Sequence, residues 1–196
     1  MDINVLKNLF KQGQFRNPTK GIMTLREVIE ELLSYRNENL EDKYQIVIGT
    51  DSKELENGVD FVSVIAIHRI GKGGRYFWLR SCHDKIAELR DRIYKEAVMS
   101  LALALAVLEQ ELENSNIPIV AGKSIMEAVK ELKEDGTSNF NRSIIFSNEL
   151  EIHVDIGYHG PTKAMIKEIV GMIRGSGFYV KIKPEAFGAK VADKQL

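Results

Sequence analysis

Residues 44–54 read YQIVIGTDSKE: a β-branched apolar run, Ile46, Val47 and Ile48, ends at Gly49 and delivers the carboxylate of Asp51 to the carboxyl end of a strand. Two further segments of strand length follow, DFVSVIAIHRI at 60–70 and RYFWLRSC at 75–82. The turns between them hold Asn57-Gly58 and Gly71, Gly73 and Gly74, short enough to join the three strands as an antiparallel meander. Over 85–112 the period lengthens to that of a helix, with Ile93, Ala97, Leu101, Ala104 and Leu108 recurring at intervals of three and four. Downstream, ELEIHVDIG at 149–157 predicts a fourth strand. PTKAMIKEIVGMIRGSG at 161–177 predicts a helix opened by Pro161 and closed by Gly175 or Gly177, and FYVKIKP at 178–184 a fifth strand.

Upstream of this frame, residues 1–43 read as a helical extension, with helices over 4–10 and 24–35 separated by Pro18 and Gly21. Thr24 followed by Glu27 has the spacing of a capping box. Residues 114–148, between the central helix and the fourth strand, read as an insert, with a helix expected over 124–133 and a short apolar run at 144–146. The order is β-β-β-α-insert-β-α-β, an α/β pattern of five strands with its main domain over 44–196.

A chain of 196 residues with 44% hydrophobic content can bury one core, and its 27 basic against 28 acidic residues exclude a polybasic, indiscriminate binder of nucleic acid. The charge is uneven, however. From Gly160 onward the balance is +4 and over the rest −5, which is either a solvated face or a surface that contacts phosphates. The single cysteine, Cys82, excludes disulfide scaffolds and zinc fingers and fits a reducing, cytoplasmic setting. No secretory signal is read in MDINVLKNLFKQGQF, and the most apolar stretch, 97–108, is short of the ~20 residues that cross a bilayer, so no membrane is expected as a partner.

The acids carry the chemistry. Asp51 alone could be a turn residue capped with Ser52, but Asp155 repeats its placement on another apolar strand, between Ile152, Val154 and Ile156. A carboxylate in such surroundings is costly unless a cation or hydrogen bonds meet it. Hard cations such as Mg²⁺ and Mn²⁺ prefer oxygen ligands, and a two-metal site needs three or four converging acids. Glu96 stands where the charged start of the central helix passes into its apolar body; Glu88 and Asp91 compete with it, and Glu109 is expected to face solvent. The fourth acid is Asp193 in AFGAKVADKQL, where Gly188, Ala189 and Ala192 permit close approach to the sheet while the segment is expected to contribute little to the core. His153 shares a strand face with Asp155, so the two could ligate a transition metal, or the histidine could be a packed, hydrogen-bonded residue. His159, in the loop GYHGP, suits proton transfer or product release, and His68 and His83 have no evident partner.

In this order YQIVIGTDSKE, IYKEAVMSLALAL, EIHVDIG and KIKPEAFGAKVADK resemble a bacterial ribonuclease H-like family formerly catalogued as a domain of unknown function. The resemblance runs from about Tyr44 onward, is most specific in KIKPEAFGAKVADK and is weakest over 114–148. It implies a five-stranded mixed sheet flanked by helices, with acids on the first strand, first helix, fourth strand and a C-terminal element. Carried over, these are Asp51, Glu96, Asp155 and Asp193. One departure is that only Lys194, Gln195 and Leu196 follow Asp193, where the superfamily has a full helix. The expected function is a divalent-metal-dependent phosphodiesterase acting on RNA, DNA or an RNA–DNA hybrid. Asp51 would bridge two ions about 4 Å apart, with Glu96 and Asp155 on one side and Asp193 on the other. The alternative is a nucleic-acid-binding module of the same fold with little or no catalysis. A sugar-kinase-like phosphotransferase ranks third, because GTDSKE lacks a Gly-rich phosphate hairpin.

Overall fold

The computed structural model describes residues 2–114 and 150–196, with 127 and 130 of the stretch between. Of the expected helix at 124–133 only 127 and 130 are described, both helical, and the rest of it and the apolar run at 144–146 lie outside the described residues. Helix α1 (Ile3–Gln12) is capped by Asp2, which accepts the Asn4 N–H at 2.9 Å. Helix α2 (Leu25–Asn37) opens with the expected capping box: Thr24 Oγ1 accepts from the Glu27 N–H at 3.3 Å and Glu27 Oε2 from the Thr24 N–H at 2.7 Å.

Between these helices lie two short strands, β1 (Phe15–Asn17) and β2 (Gly21–Met23), turned at Gly21 with φ of 80°. They are followed by β3 (Tyr44–Leu55), β4 (Gly58–Arg69), β5 (Gly73–His83), helix α3 (Leu89–Asn114) and β6 (Leu150–His153). A 3₁₀ turn (Pro161–Met165) leads into α4 (Ile166–Gly175), β7 (Tyr179–Lys181) and α5 (Phe187–Asp193). The strands form one mixed sheet of order β2-β1-β5-β4-β3-β6-β7, so it has seven strands where five were expected. The two additional strands come from the stretch read as purely helical. At three residues each they are too short to show an alternation, and β1 joins the sheet through a single pair, Arg16 with Trp78.

Strands β3, β4 and β5 form the expected antiparallel meander, while β3–β6 and β6–β7 pair in parallel. The main core lies on one face, where Ile46, Ile48, Phe61, Ile65 and Phe77 meet the α3 residues Ala97, Ala104 and Leu108, together with side chains of α1, α2 and α4. A smaller cluster lies on the other face, where Ala192 of α5 packs on Val62, Val64 and Ala66. Glu109 is buried rather than facing solvent. Helix α1 lies along α3, and Lys7 and Lys11 reach this carboxylate, Lys11 Nζ at 3.5 Å from Oε2. Nothing local in the sequence reveals a partner about a hundred residues away.

Candidate functional site

The two strand acids exchange their expected situations. Asp51 lies within a strand rather than at its end, because β4 supplies a partner for every β3 residue from Tyr44 to Leu55 and carries the ladder well past Gly49. Asp155 lies two residues beyond β6, whose pairing with β3 ends at Gly49 with His153. The chain is still tethered there, since the Val154 N–H donates to the Lys181 carbonyl at 3.0 Å and the Lys183 N–H to the Ile156 carbonyl at 2.9 Å. Because Gly49 and His153 are parallel partners, two residues onward on each chain place Asp51 and Asp155 side by side on one face.

Helix α5 closes the same corner, and a glycine pair permits it. A Cβ on Gly49 would stand 2.8 Å from the Ala189 nitrogen and the Gly188 carbonyl carbon, and one on Gly188 would stand 2.4 Å from Val47 Cγ1. The helix thus meets the strand at backbone distance, burying Ala189 and Ala192. The segment after Gly188 is therefore part of the core, contrary to expectation, and Asp193 does sit on a helix, one of seven residues. The result is a cleft of about 440 Å³ lined by Asp51, Asp155, Asp193, Lys183, Lys190, Lys194 and Ala189.

Glu96 does not line this cleft. It is buried on α3, on the opposite face of β3, and accepts the Ser52 hydroxyl proton at 2.5 Å. Ser52 follows Asp51, and its N–H donates to Asp51 Oδ1 at 2.8 Å, so the two carboxylates are linked through one residue. Burial pushes Glu96 up to about 8; the Ser52 hydrogen bond opposes this, and the charge of Asp51 adds to it. Burial likewise raises Asp51 to about 6, against the Ser52 N–H and with the added repulsion of Asp155 and Asp193. Asp155 is met by Lys183, whose Nζ lies 2.8 Å from Oδ2.

His153 is fully buried, and both of its ring nitrogens are engaged. Nδ1 accepts the Gly188 N–H at 3.1 Å and Nε2 faces Glu151 Oε2 at 3.2 Å. It is consequently not a ligand beside Asp155. Its ring ties the first turn of α5 to β6 and stands edge-on to Phe187 at 4.8 Å. Burial lowers its pKa against the pull of Glu151. Glu151 also receives Lys181 at 2.9 Å and Gln45 at 2.5 Å. Burial tends to raise Glu151, but these hydrogen bonds outweigh it and hold the carboxyl below its ordinary range. Lys181 and Lys183 share a face as their spacing requires, yet only Lys183 opens onto the cleft. His159 is exposed, while His68 and His83 each find an aromatic edge, at Phe187 (5.7 Å) and Phe61 (5.3 Å).

The acids on β3, after β6 and on α5, with another on α3, reproduce the order of elements implied by the sequence resemblance. A ribonuclease H-like family model matches residues 27–195, beginning within α2. The chain belongs to the ribonuclease H-like family. It is 28% identical over 176 residues to a Bacillus subtilis (strain 168) protein called "Uncharacterized protein YkuK", covering 89% of this chain and 91% of that one. No solved structure shows a significant match. For this ribonuclease H-like chain no helix among the described residues is long and apolar enough to cross a membrane.

The donor chemistry of the cleft suits a hard divalent cation. Its acidic side chains offer only oxygen donors, Asp51 and Asp155 stand abreast, and the Lys183 ammonium shows that positive charge is accommodated beside Asp155. Among the described residues no three His, Cys, Asp or Glu side chains are gathered tightly enough to hold an ion as they stand. Mg²⁺ typically takes only one or two carboxylates and keeps several waters, so this arrangement remains compatible with it. Lys183, Lys190 and Lys194 all belong to the basic end from Gly160 onward that the charge distribution offers as a phosphate-contacting surface, whereas Ser52 is not read from sequence as a site residue. Ser52 could have been found from its place beside Asp51, with its side chain on the face toward the central helix.

Proposed function

We propose that this protein is a Mg²⁺- or Mn²⁺-dependent phosphodiesterase acting on nucleic acid. The observation that carries the proposal is the lining of a single cleft by Asp51, Asp155 and Asp193 together with Lys183, Lys190 and Lys194. Carboxylates alone would repel a phosphodiester and lysines alone would only bind it; interleaved, they can hold cations and a phosphate at one place. Asp51, Asp155 and Asp193 are the ligands, with Glu96 set behind Asp51 through Ser52. A bound divalent ion supplies charge neutralisation of the phosphate and a more acidic water at neutral pH.

The residues of the chain do the rest. Lys183, 2.8 Å from Asp155 Oδ2, would be released to a phosphate oxygen if Asp155 held a metal. Lys190 and Lys194, one helical turn apart about the end of α5, extend the positive rim along the strand that enters. Glu96, kept protonated by burial and holding the Ser52 hydroxyl, adds no charge behind Asp51. The test is cleavage of single-stranded RNA, single-stranded DNA, duplex and hybrid with Mg²⁺, with Mn²⁺ and with EDTA, in the parent, Asp51→Asn and Asp155→Asn. Metal-dependent cleavage lost in both variants supports the reading. A parent that binds one of these substrates but cleaves none under either metal replaces it with the binding module, which the Lys183–Asp155 pair would then explain as a permanent ion pair.

A further inference from the structure

The sheet face that carries α5 is only partly covered by it. The helix lies chiefly over β3 and β4, and on the same face β5 carries Tyr76 and Trp78, half-buried against the edge of the Ala192 cluster, and the exposed Arg80. The rings of Tyr76 and Trp78 stack with centroids 5.7 Å apart and planes inclined by 28°. Arg16 of β1 is the cross-strand partner of Trp78; it is exposed, and no hydrogen bond or ion pair holds its guanidinium among the described residues. Arg80 is held, by Asp60 Oδ2 at 3.2 Å and by the Gln195 carbonyl.

Strand β1 meets β5 at that single pair. Toward Gln14 the chain leaves the sheet while β5 continues to His83, and the wedge between them is a cavity of about 760 Å³ lined in part by Arg16, Trp78, Arg80, Gln14 and Gln195. The cavity adjoins the acidic cleft. Asp51, Val62 and Arg80 are successive cross-strand partners, so cleft and groove lie two strand spacings apart, about 10 Å. The turn after α5 links them, since Asp193 lines the cleft and Gln195 the groove.

We propose that this groove binds single-stranded nucleic acid, with an unpaired base stacked on Trp78 and a phosphate on Arg16, on a strand that runs across the turn after α5 into the acidic cleft. An aromatic face beside an unengaged guanidinium matches a base followed by a phosphate, and every base has a π-face to offer. A duplex keeps its bases stacked on one another and cannot present one to a side chain on a sheet. An extended peptide would be drawn chiefly by apolar pockets, whereas arginine and glutamine side chains make up much of this lining. The proposal rests on the phosphodiesterase reading for the course of the strand, and it assigns that enzyme a single-stranded substrate. Binding in the groove requires no metal.

Trp78 is the chain's single tryptophan, so its fluorescence reports the groove directly. The full chain is titrated in EDTA with a single-stranded 12-mer, with the corresponding duplex and with a 12-mer carrying abasic positions. The single strand is expected to quench Trp78, the duplex and the abasic strand only weakly. By anisotropy of a labelled 12-mer, Trp78→Ala loses about 5- to 150-fold in affinity, the loss of one base–aromatic stack, and Trp78→Phe recovers part of it. Arg16→Gln lowers the salt slope by about one phosphate contact. A parent that cleaves no substrate with either metal while its Trp78 is still quenched overturns only the phosphodiesterase reading. Equal quenching by duplex or abasic strand, or a Trp78 signal that changes with protein concentration alone, overturns the groove; the latter outcome assigns it to a protein partner.

Discussion

Replacing Glu96 by Gln should stabilise the metal-free protein above neutral pH. The carboxyl titrates at about 8 in the fold against 4.5 as a free side chain, chiefly because it is buried. The fold therefore holds its proton more tightly than the unfolded chain does. Stability is highest below the unfolded value and falls as pH rises through the folded one. Linkage over this interval gives a penalty of about 2 kcal/mol at pH 6 and about 4 kcal/mol at pH 8, upper limits for a carboxyl that can relax toward Arg92. Gln keeps an oxygen for the Ser52 hydroxyl and carries no charge, so Glu96→Gln escapes the penalty.

Urea unfolding of parent and variant at pH 6, 7 and 8 in EDTA reads the difference directly. The gap in stability should widen by about 2 kcal/mol across that range. His153 and His83, both lowered chiefly by burial, make stability rise with pH below their ordinary value, but they are common to both proteins and cancel. A variant less stable than the parent at pH 8, or a gap that does not widen with pH, refutes the reasoning: Glu96 would then be held as a charged partner of its surroundings, and burial would not govern it.

Asp51, raised to about 6, acts in the same direction at lower pH, so Asp51→Asn should be stabilised in EDTA by about 1–3 kcal/mol at pH 7, and millimolar Mg²⁺ or Mn²⁺ should raise its Tm less than the parent's. Lys183→Gln should weaken nucleic-acid binding and flatten its salt dependence, while Lys181→Gln, which loses only its pairing within the Glu151 network, should leave the salt slope unchanged when both are measured by anisotropy. His153→Ala leaves the buried Gly188 N–H without an acceptor, a loss of about 1–3 kcal/mol that hydrogen exchange should locate in α5. Asp193→Asn should retain folding and most nucleic-acid affinity while losing metal-dependent cleavage; removal of residues 189–196 strips Ala192 from Val62, Val64 and Ala66 and should lower Tm.

The elements that could be read from the sequence are those whose signal is local and repeated. The meander 44–83 carries apolar runs of strand length bounded by turn residues, α3 repeats its apolar positions over many turns, and Thr24 with Glu27 encodes its own cap. What escaped depends on distant partners. β1 and β2 exist as strands because β5 offers an edge beside Trp78, and Glu109 is buried because α1 returns across α3. Strand ends were displaced for the same reason: β3 continues past Gly49 wherever β4 has a group to pair with it, and β6 ends where its partner on β3 does.

Among the site residues, the acids could be picked out because a carboxylate flanked by apolar residues contradicts its surroundings. Their arrangement could not. Alternation along β3 separates Asp51 from Ser52, sending one toward α5 and the other toward Glu96, so that three aspartates share a cleft while the glutamate stands behind the strand. The same alternation reaches across the sheet, aligning Asp51 with Arg80 and Gly49 with Trp78. A pattern of period two therefore fixes both the acidic cleft and the aromatic groove. Any register slip between β3, β4 and β5 would separate the two together, whereas Gly49 and Gly188 control only how closely α5 closes over the cleft. Enlarging Gly188 to Ala should on this argument impair the cleft first, because its Cβ would meet Val47 at 2.4 Å, and reach the groove only through the Gln195 carbonyl that the end of α5 brings to Arg80.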